Sequence, residues 1–442
     1  MSNEFLRNVG PVPSVELSAN DMATQLAEQV ASSLEPGHHD HTNRASVRVL
    51  RPRRAAPADT IRPTRAEVNL AHLRHNLRVV EKTLATTNSK PPAVWGVLKA
   101  DAYGHGSAAV ARTLERAGMP GLCVALLEEA IELRDAGIRI PILVMGGYYG
   151  PRREGLEEIL ARDLVPVVYD AGHIERLGML AHFDDDGRRV GVHLKVDTGM
   201  GRLGVSMSEL DDVLDALDAR PHVRLDGLMT HLACADAEDL EATRHQLSLF
   251  QKVLGRVRAR GFAPRYVHIA NSAAVLRMPE THFDAVRPGI ALFGVSPVAS
   301  LGNDLKPVIR IRTEIVSTRT IEAGQAIGYG HSWRATRRSV IATVPMGYAD
   351  GLDRKLTNAG HALIRGRRVP IAGTVSMDMT MLDVTDIPGA RIGDEAVFLG
   401  GQEGPLGRDV ITAEEIASTT GTIPWEVLTS ISRRVPRFYR EP

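Results

Sequence analysis

Eight apolar runs separated by helical patterns constrain the fold of this 442-residue chain more than any other feature. The runs are Val94–Lys99, Gly121–Leu126, Ile140–Met145, Val165–Tyr169, Val190–Val196, Leu225–Thr230, Tyr266–Ile269 and Ala285–Phe293. Helical spacing recurs between them, over Ser107–Ala117, Glu128–Ala136, Gly155–Ala161, Ser208–Ala219 and Leu240–Arg260. Continuous rather than alternating apolarity marks strands buried on both faces, as in a parallel sheet covered by helices. Eight such units close a (β/α)8 barrel over about 250 residues. An open, doubly wound sheet is the alternative, and eight regular units favour the barrel. After Leu305 the texture changes to short strands divided by Gly-rich turns: Val308–Ser317, Ser339–Pro345, Ala362–Ile364, Val369–Thr374, Met379–Val384 and Ala396–Gly400. That pattern predicts a mainly antiparallel β domain, interrupted by one helix with Thr412 and Glu415 as a capping box. The expected fold class is α/β plus β, with a flexible extension over residues 1–62, a TIM-type barrel over 63–305 and a β domain over 306–442.

Charge narrows the partners. Lys+Arg and Asp+Glu both number 53, so nothing in the balance points to nucleic acid or an anionic membrane. No run approaches the roughly 18 apolar residues of a membrane span, and the N-terminus lacks an apolar signal core. The two cysteines, Cys123 and Cys234, lie in apolar contexts and read as buried thiols in a reducing compartment. A cytoplasmic protein is expected. Within the extension, Asn20–Leu34 fits one amphipathic helix, and His38, His39 and His41 read as solvated loop residues rather than metal ligands.

Barrel enzymes place their chemistry at the carboxyl ends of strands, so these ends can be read in order. The first carries Lys99 and the loop Ala100-Asp101-Ala102-Tyr103-Gly104-His105-Gly106. Burial there lowers an ammonium pKa and frees the neutral amine that a Schiff base requires. The fifth carries Lys195 and the Gly-flanked Arg202, the sixth Thr230-His231, the seventh Asn271-Ser272, and the eighth Arg287-Pro288-Gly289-Ile290. A lysine for a covalent link, Tyr, Ser and Gly groups for a phosphate, and a cation to face a ring nitrogen together describe pyridoxal phosphate. Arg202 suits a bidentate clamp on a substrate carboxylate.

With these residues in view, the runs VLKADAYGHG, KVDTGMGRLG, ANSAA, VRPGIALFG, GYADG, VSMDM and RVPR make the chain, from about Arg65 to Tyr439, resemble the alanine racemases. The resemblance implies a pyridoxal-phosphate enzyme that interconverts L- and D-alanine with two bases, and a homodimer that shares its active sites. It implies that Lys99 holds the cofactor and works on one face, while Tyr329 works on the other from the partner subunit. Racemisation needs an acid–base group on each side of the reacting carbon. A chain of Tyr329, His231 and Arg287 would support the tyrosine, with Arg287 facing the ring nitrogen. Tyr103, Ser272, Gly289 and Ile290 would hold the phosphate. Arg202 and the backbone N–H of Met377 would bind the substrate carboxylate, and Tyr348 would line the entry. Lys195 matches a lysine that is often carbamylated.

One departure stands out: many members carry Tyr before the final Arg-Val-Pro-Arg, where this chain has Arg433. Arginine there leaves the pocket's size and its preference for alanine open. The rival readings are a broader-specificity racemase, a related decarboxylase and a non-catalytic pyridoxal-phosphate carrier. The decarboxylase needs a cysteine from the C-terminal domain, and both cysteines precede residue 305.

Overall fold

The computed structural model describes residues 61–441 apart from 88, 149–152 and 182–188. The expected helix Asn20–Leu34 and the three histidines after it lie outside these residues. A short strand, β1 (Arg65–Asn69), comes first. Eight parallel strands follow: β2 (Ala93–Val97), β3 (Gly121–Val124), β4 (Ile142–Val144), β5 (Val165–Val168), β6 (Val190–Lys195), β7 (Val223–Met229), β8 (Tyr266–His268) and β9 (Ala285–Val286). Each of β2 to β8 is bonded to the next, and β9 pairs with β2. The last gap is bridged by backbone bonds from Asp284 N to Val267 O (3.0 Å) and Arg287 N to Ala270 O (2.9 Å), which bring the strands round into a ring.

The apolar runs form this ring because both faces of each strand are covered. Leu122, Cys123 and Val124 of β3 are fully buried, as are Ile142, Leu143 and Val144 of β4. Two covering helices carried no clear signal in the sequence, Leu70–Thr87 and Ala171–Ala181. The last run is not one strand. β9 covers only Ala285–Val286, then Pro288, which has no N–H, ends the ladder, and a short 3₁₀ turn spans Ile290–Phe293. That break releases the N–H groups of the turn from the strand ladder, and they matter below.

The chain beyond residue 305 builds antiparallel sheets. The larger includes β10 (Ile309–Glu314), His361–Ile364, Arg367–Pro370 and Glu395–Gly404. β1 joins this sheet rather than the barrel, antiparallel to β10 and parallel to the last strand, Arg437–Arg440. A second sheet holds Ser317–Ile321, Ser339–Val344 and Thr380–Asp383. Half of the expected capping box is present: Thr412 accepts from Glu415 N at 3.1 Å, while the Glu415 carboxylate accepts from Arg368 instead. The single expected helix is in fact two, Ala413–Thr420 and Pro424–Thr429. Gly421 closes the first in a left-handed conformation (φ 70°), and Pro424 opens the second. Arg62 ties the start of the described chain to this part of the molecule, donating to both oxygens of the fully buried Asp350 (2.9 and 2.8 Å). Cys123 and Cys234 are both free thiols. No helix among the described residues is long and apolar enough to cross a membrane.

Candidate active site

β2 stops at Val97, and Lys99 opens a turn of the opposite hand to an ordinary helix. Ala100, Asp101, Ala102 and Tyr103 all have φ between 52° and 55°. For L-residues this conformation costs about 1–2 kcal/mol each, so four in a row require outside support. Glu129 supplies part of it. One of its oxygens accepts from Ala100 N (2.6 Å), and the other from Ala125 N and Leu126 N (2.8 and 3.0 Å). The Asp101 carboxylate accepts from Ser107 N at 2.7 Å. The turn directs Lys99 and Tyr103 into one cavity of about 210 Å³ at the carboxyl ends of the strands, shared with His231, Ser272, Arg287 and Gly289.

One wall of that cavity is a cradle of small groups. Ser272 Oγ accepts from Gly289 N at 2.9 Å, and Asn271 caps the short helix Ser272–Arg277 by accepting from Ala274 N. A Cβ on Gly289 would come within 2.2 Å of the Tyr103 hydroxyl, so only glycine leaves this space open. Hydroxyls and main-chain N–H groups around such a gap fit a phosphate. The surroundings of the cavity are cationic. Lys99 reaches solvent through the mouth, yet burial of its stem and the Arg202 guanidinium hold its pKa below that of a free lysine. Burial, then Arg202 and Arg287, push Lys195 down to about 8. His231 is pushed down to about 3, first by burial and then by Arg287, Lys195, Arg202 and Lys99. It is therefore neutral in a pocket whose field favours a dianion and a carboxylate.

Arg287 is nearly inaccessible, and burial lowers its pKa to about 10, still cationic at neutral pH. The expected chain of Tyr329, His231 and Arg287 is not what its hydrogen bonds describe. Its Nη1 donates to the Nδ1 and carbonyl of His268, and its Nη2 to the carbonyl of Thr230 (2.9 Å). His268 Nε2 in turn meets His193 Nδ1 at 2.8 Å. No hydrogen bond within the described chain joins His231 to Arg287; the His231 carbonyl accepts from Gln246 instead. The geometry of Arg287 is fixed from within the barrel because its two Nη groups are committed to neighbouring strand ends. His193 and His268 were hidden in apolar runs, although His193 lies two residues before Lys195 in β6, on the same inward face. Gly227 makes room for it, since a Cβ there would lie 2.3 Å from the imidazole.

The loop after β6 is organised by Asp197, whose carboxylate accepts from the N–H groups of Gly199, Met200 and Gly201 (2.8 to 3.2 Å). Gly204, at φ 135°, lets the loop fold back, for a Cβ would lie 2.5 Å from Asp197 N. Arg202 stands exposed at its tip.

Neither Arg202 nor Lys195 lines the cavity, and three further expected site residues lie elsewhere on the chain. Tyr329, Tyr348 and Met377 do not line the cavity of their own chain; they are 74%, 42% and 51% exposed on the β domain. Gly328 and Gly330, at φ 75° and 68°, shape the turn that presents Tyr329, and Thr374 Oγ1 donates to the Tyr329 carbonyl. Tyr348 N donates to Ser376 O and Ala349 N to Met377 O, so backbone bonds join the Tyr348 and Met377 loops. Asp236 and Trp425 are among the lining residues that the sequence reading missed. Arg433, singled out as a departure, is exposed and does not. The helix Pro424–Thr429 packs on the turn at Lys99 and brings Trp425 to the cavity, while Arg433 lies beyond that helix.

A larger cavity, of about 670 Å³, lies between the barrel and the β-sheet. Its buried acid, Glu67, is already paired with Arg65, Arg310 and Arg440, and no lysine faces it. The chemistry selects the smaller space.

A barrel whose mouth joins a desolvated lysine to a phosphate cradle and a buried arginine, followed by a β domain, defines an enzyme class built around a covalently held, phosphorylated cofactor. Residues 68–297 match the family model for the alanine racemase N-terminal domain, and 308–439 that for the C-terminal domain. An alanine racemase of Sorangium cellulosum is 71% identical over 382 residues, covering 86% of this chain and all of that protein. The crystal structure of alanine racemase from D-cycloserine-producing Streptomyces lavendulae aligns with TM-score 0.79 and 34% identity, over 87% of this chain and 98% of that one. A Bartonella henselae alanine racemase with covalently bound pyridoxal phosphate aligns with TM-score 0.75 and 29% identity, over 86% of this chain and 99% of that one. The chain belongs to the alanine racemase family.

Proposed function

We propose that this protein interconverts L- and D-alanine with pyridoxal phosphate, as a homodimer whose active sites each draw on both chains. The observation that carries the reading is the convergence of Lys99, the Tyr103–Ser272–Gly289 cradle and Arg287 on one cavity. Those residues fit the cofactor: Lys99 would hold it, Tyr103, Ser272 and the N–H groups of Gly289 and Ile290 its phosphate, and Arg287 its ring nitrogen. When bound, the cofactor supplies an electron sink that acidifies the alanine Cα proton. Lys99 takes or returns that proton on one face, and Tyr329 of the second chain on the other. Arg287 is cationic and never gives up its proton, so it orients rather than titrates. His231, neutral by burial, stands ready to accept a hydrogen bond from the tyrosine. Arg202 clamps the substrate carboxylate with the Met377 N–H, and Tyr348 lines the entry.

Exposure of Tyr329, Tyr348 and Met377 supports the dimer, because three large apolar side chains on one domain surface mark a surface that binds something. Free Cys123 and Cys234 agree with a cytoplasmic enzyme, and supply of D-alanine for the cell wall is the role that fits it. The division into an extension over 1–62, a barrel over 63–305 and a β domain over 306–442 belongs to the same reading, with β1 lent to the β domain's sheet. Purified protein given L-alanine should yield the D-isomer at equal equilibrium amounts. Release of carbon dioxide without D-alanine would reject the proposal.

Lys195 is buried between two arginines, an arrangement that carbamylation relieves by turning a cation into an anion that can orient Arg202. The reaction adds carbon dioxide to the neutral amine and releases one proton to solvent. With a pKa of about 8, roughly one lysine in ten is neutral at pH 7, and the fraction rises as pH climbs through 8. Protein in ¹³C-bicarbonate should show a carbamate resonance that strengthens from pH 7 to 9 and disappears in Lys195→Ala. A resonance that persists in the variant would place the modification elsewhere.

A further inference from the structure

The left-handed turn at Lys99 is held from the far end of the chain as well as by its neighbours. Arg437, which opens the final strand, donates its Nε to the Gly104 carbonyl at 3.0 Å. Its two Nη groups donate to the carbonyls of Ile431 (2.7 Å), Ser432 (2.6 Å) and Val435 (2.6 Å). One planar guanidinium thus fastens the loop before the last strand to the end of the turn. The surfaces meet without spare room. A Cβ on Gly104 would lie 2.3 Å from Leu428 O, and one on Gly106 would lie 1.9 Å from the Tyr439 hydroxyl.

Between these contacts sits His105, fully buried, with its ring centroid 4.5 Å from that of Phe293. Its Nδ1 meets the carbonyls of Ala102 (3.0 Å) and Tyr103 (2.8 Å), and its Nε2 has no partner among the described residues. That pattern requires the neutral ring with its proton on Nδ1, donating to the turn. Every carbonyl from Ala102 to Gly104 is therefore taken by a side chain, and Arg437 alone of these side chains comes from the β domain. If the turn relaxed to the ordinary helical hand, the directions of Lys99 and Tyr103 would change together.

We propose that Arg437 is a positioning residue for the reaction: by bridging Gly104 to the C-terminal segment it keeps the turn at 99–103 left-handed and Lys99 aimed into the cavity. The inference rests on the reading of Lys99 as the lysine that holds the cofactor. Arg437→Lys keeps the charge but replaces a rigid fork by a single ammonium that cannot reach four carbonyls in the same geometry. Amide hydrogen exchange in the cofactor-free variant should be on the order of tenfold faster in the segment 100–106, with the barrel strands β3 to β7 unchanged. Affinity for added pyridoxal phosphate should fall by about the same factor, and Arg437→Ala should show both effects more strongly. Unchanged exchange in 100–106 would overturn the proposal. So would uniform acceleration over the whole chain, which would make Arg437 a matter of global stability. The exchange comparison is made without cofactor. It is therefore decided separately from the reading of Lys99, which falls if the natural chain takes up pyridoxal phosphate at another lysine.

Discussion

Lys99→Ala should abolish the visible absorbance of protein-bound pyridoxal phosphate and lower racemisation by at least about 10³-fold. Two losses combine in that figure. A positioned general acid–base group contributes about 10²–10⁴-fold. The covalent tether that keeps the cofactor in place is lost as well. The structure makes Lys99 the specific choice among the lysines near the cavity. Lys195 is also depressed, but it is buried beneath the Arg202 loop and does not line the cavity that Tyr103, Ser272 and Gly289 share with Lys99. Lys195→Ala should therefore keep the absorbance band while losing rate. A pH profile adds a sign. Burial and Arg202 lower the Lys99 pKa, so its neutral form becomes available below the pH at which a free lysine would deprotonate. Rates that depend on the free amine should rise with pH through that lowered value. Removing the guanidinium in Arg202→Ala should move the rise to higher pH. A band retained in Lys99→Ala would mean that another lysine holds the cofactor.

Much of the barrel was legible because its strands are long enough to show continuous apolarity, and because active-site polarity gathers where those runs end. Lys99, Ser272, Arg287 and Gly289 could be found by reading strand ends in order. What escaped was decided by distance or by backbone sign. β1 gave no signal for its place, since its partners are residues 309–312 and 437–440, far along the chain. Ala100 and Ala102 are good right-handed helix formers, and nothing in their identity announces φ values near 54°. Only the pins do: Glu129, His105 and Arg437 lie 29 residues, 3 residues and more than 300 residues from the carbonyls and amide they hold. The His193–His268 pair was lost for a different reason. Inside an apolar strand a histidine reads as a packing residue, and its link to Arg287 exists only once β6, β8 and β9 share one ring. Trp425 was missed because Gly421 and Pro424 start a new helix where the sequence suggested one continuous element, and that restart sets which side chain faces the cavity.

The second large effect concerns Tyr329. It stands 74% exposed on the β domain, away from the cavity of its own chain. On the proposed reading, the base for the second face of the substrate comes from another copy, and so do Met377 and Tyr348. Tyr329→Phe alone should retain cofactor absorbance, because every group of the cradle lies in the barrel, while racemisation drops by about 10²-fold or more. Mixing it with Lys99→Ala separates sharing from self-sufficiency. After complete subunit exchange, half of the dimers contain one chain of each kind. In each of these, one site combines both lesions and the other has Lys99 from one chain with Tyr329 from the other. Roughly a quarter of the sites should therefore be intact, and about a quarter of the natural activity should return. The recovered activity should appear at the rate of subunit exchange and depend on protein concentration, as a shared site demands. Mixtures that exchange subunits, shown by a mass-tagged chain, yet stay inactive would mean that each chain completes its own site. The exposed tyrosine would then have to swing back to its own barrel.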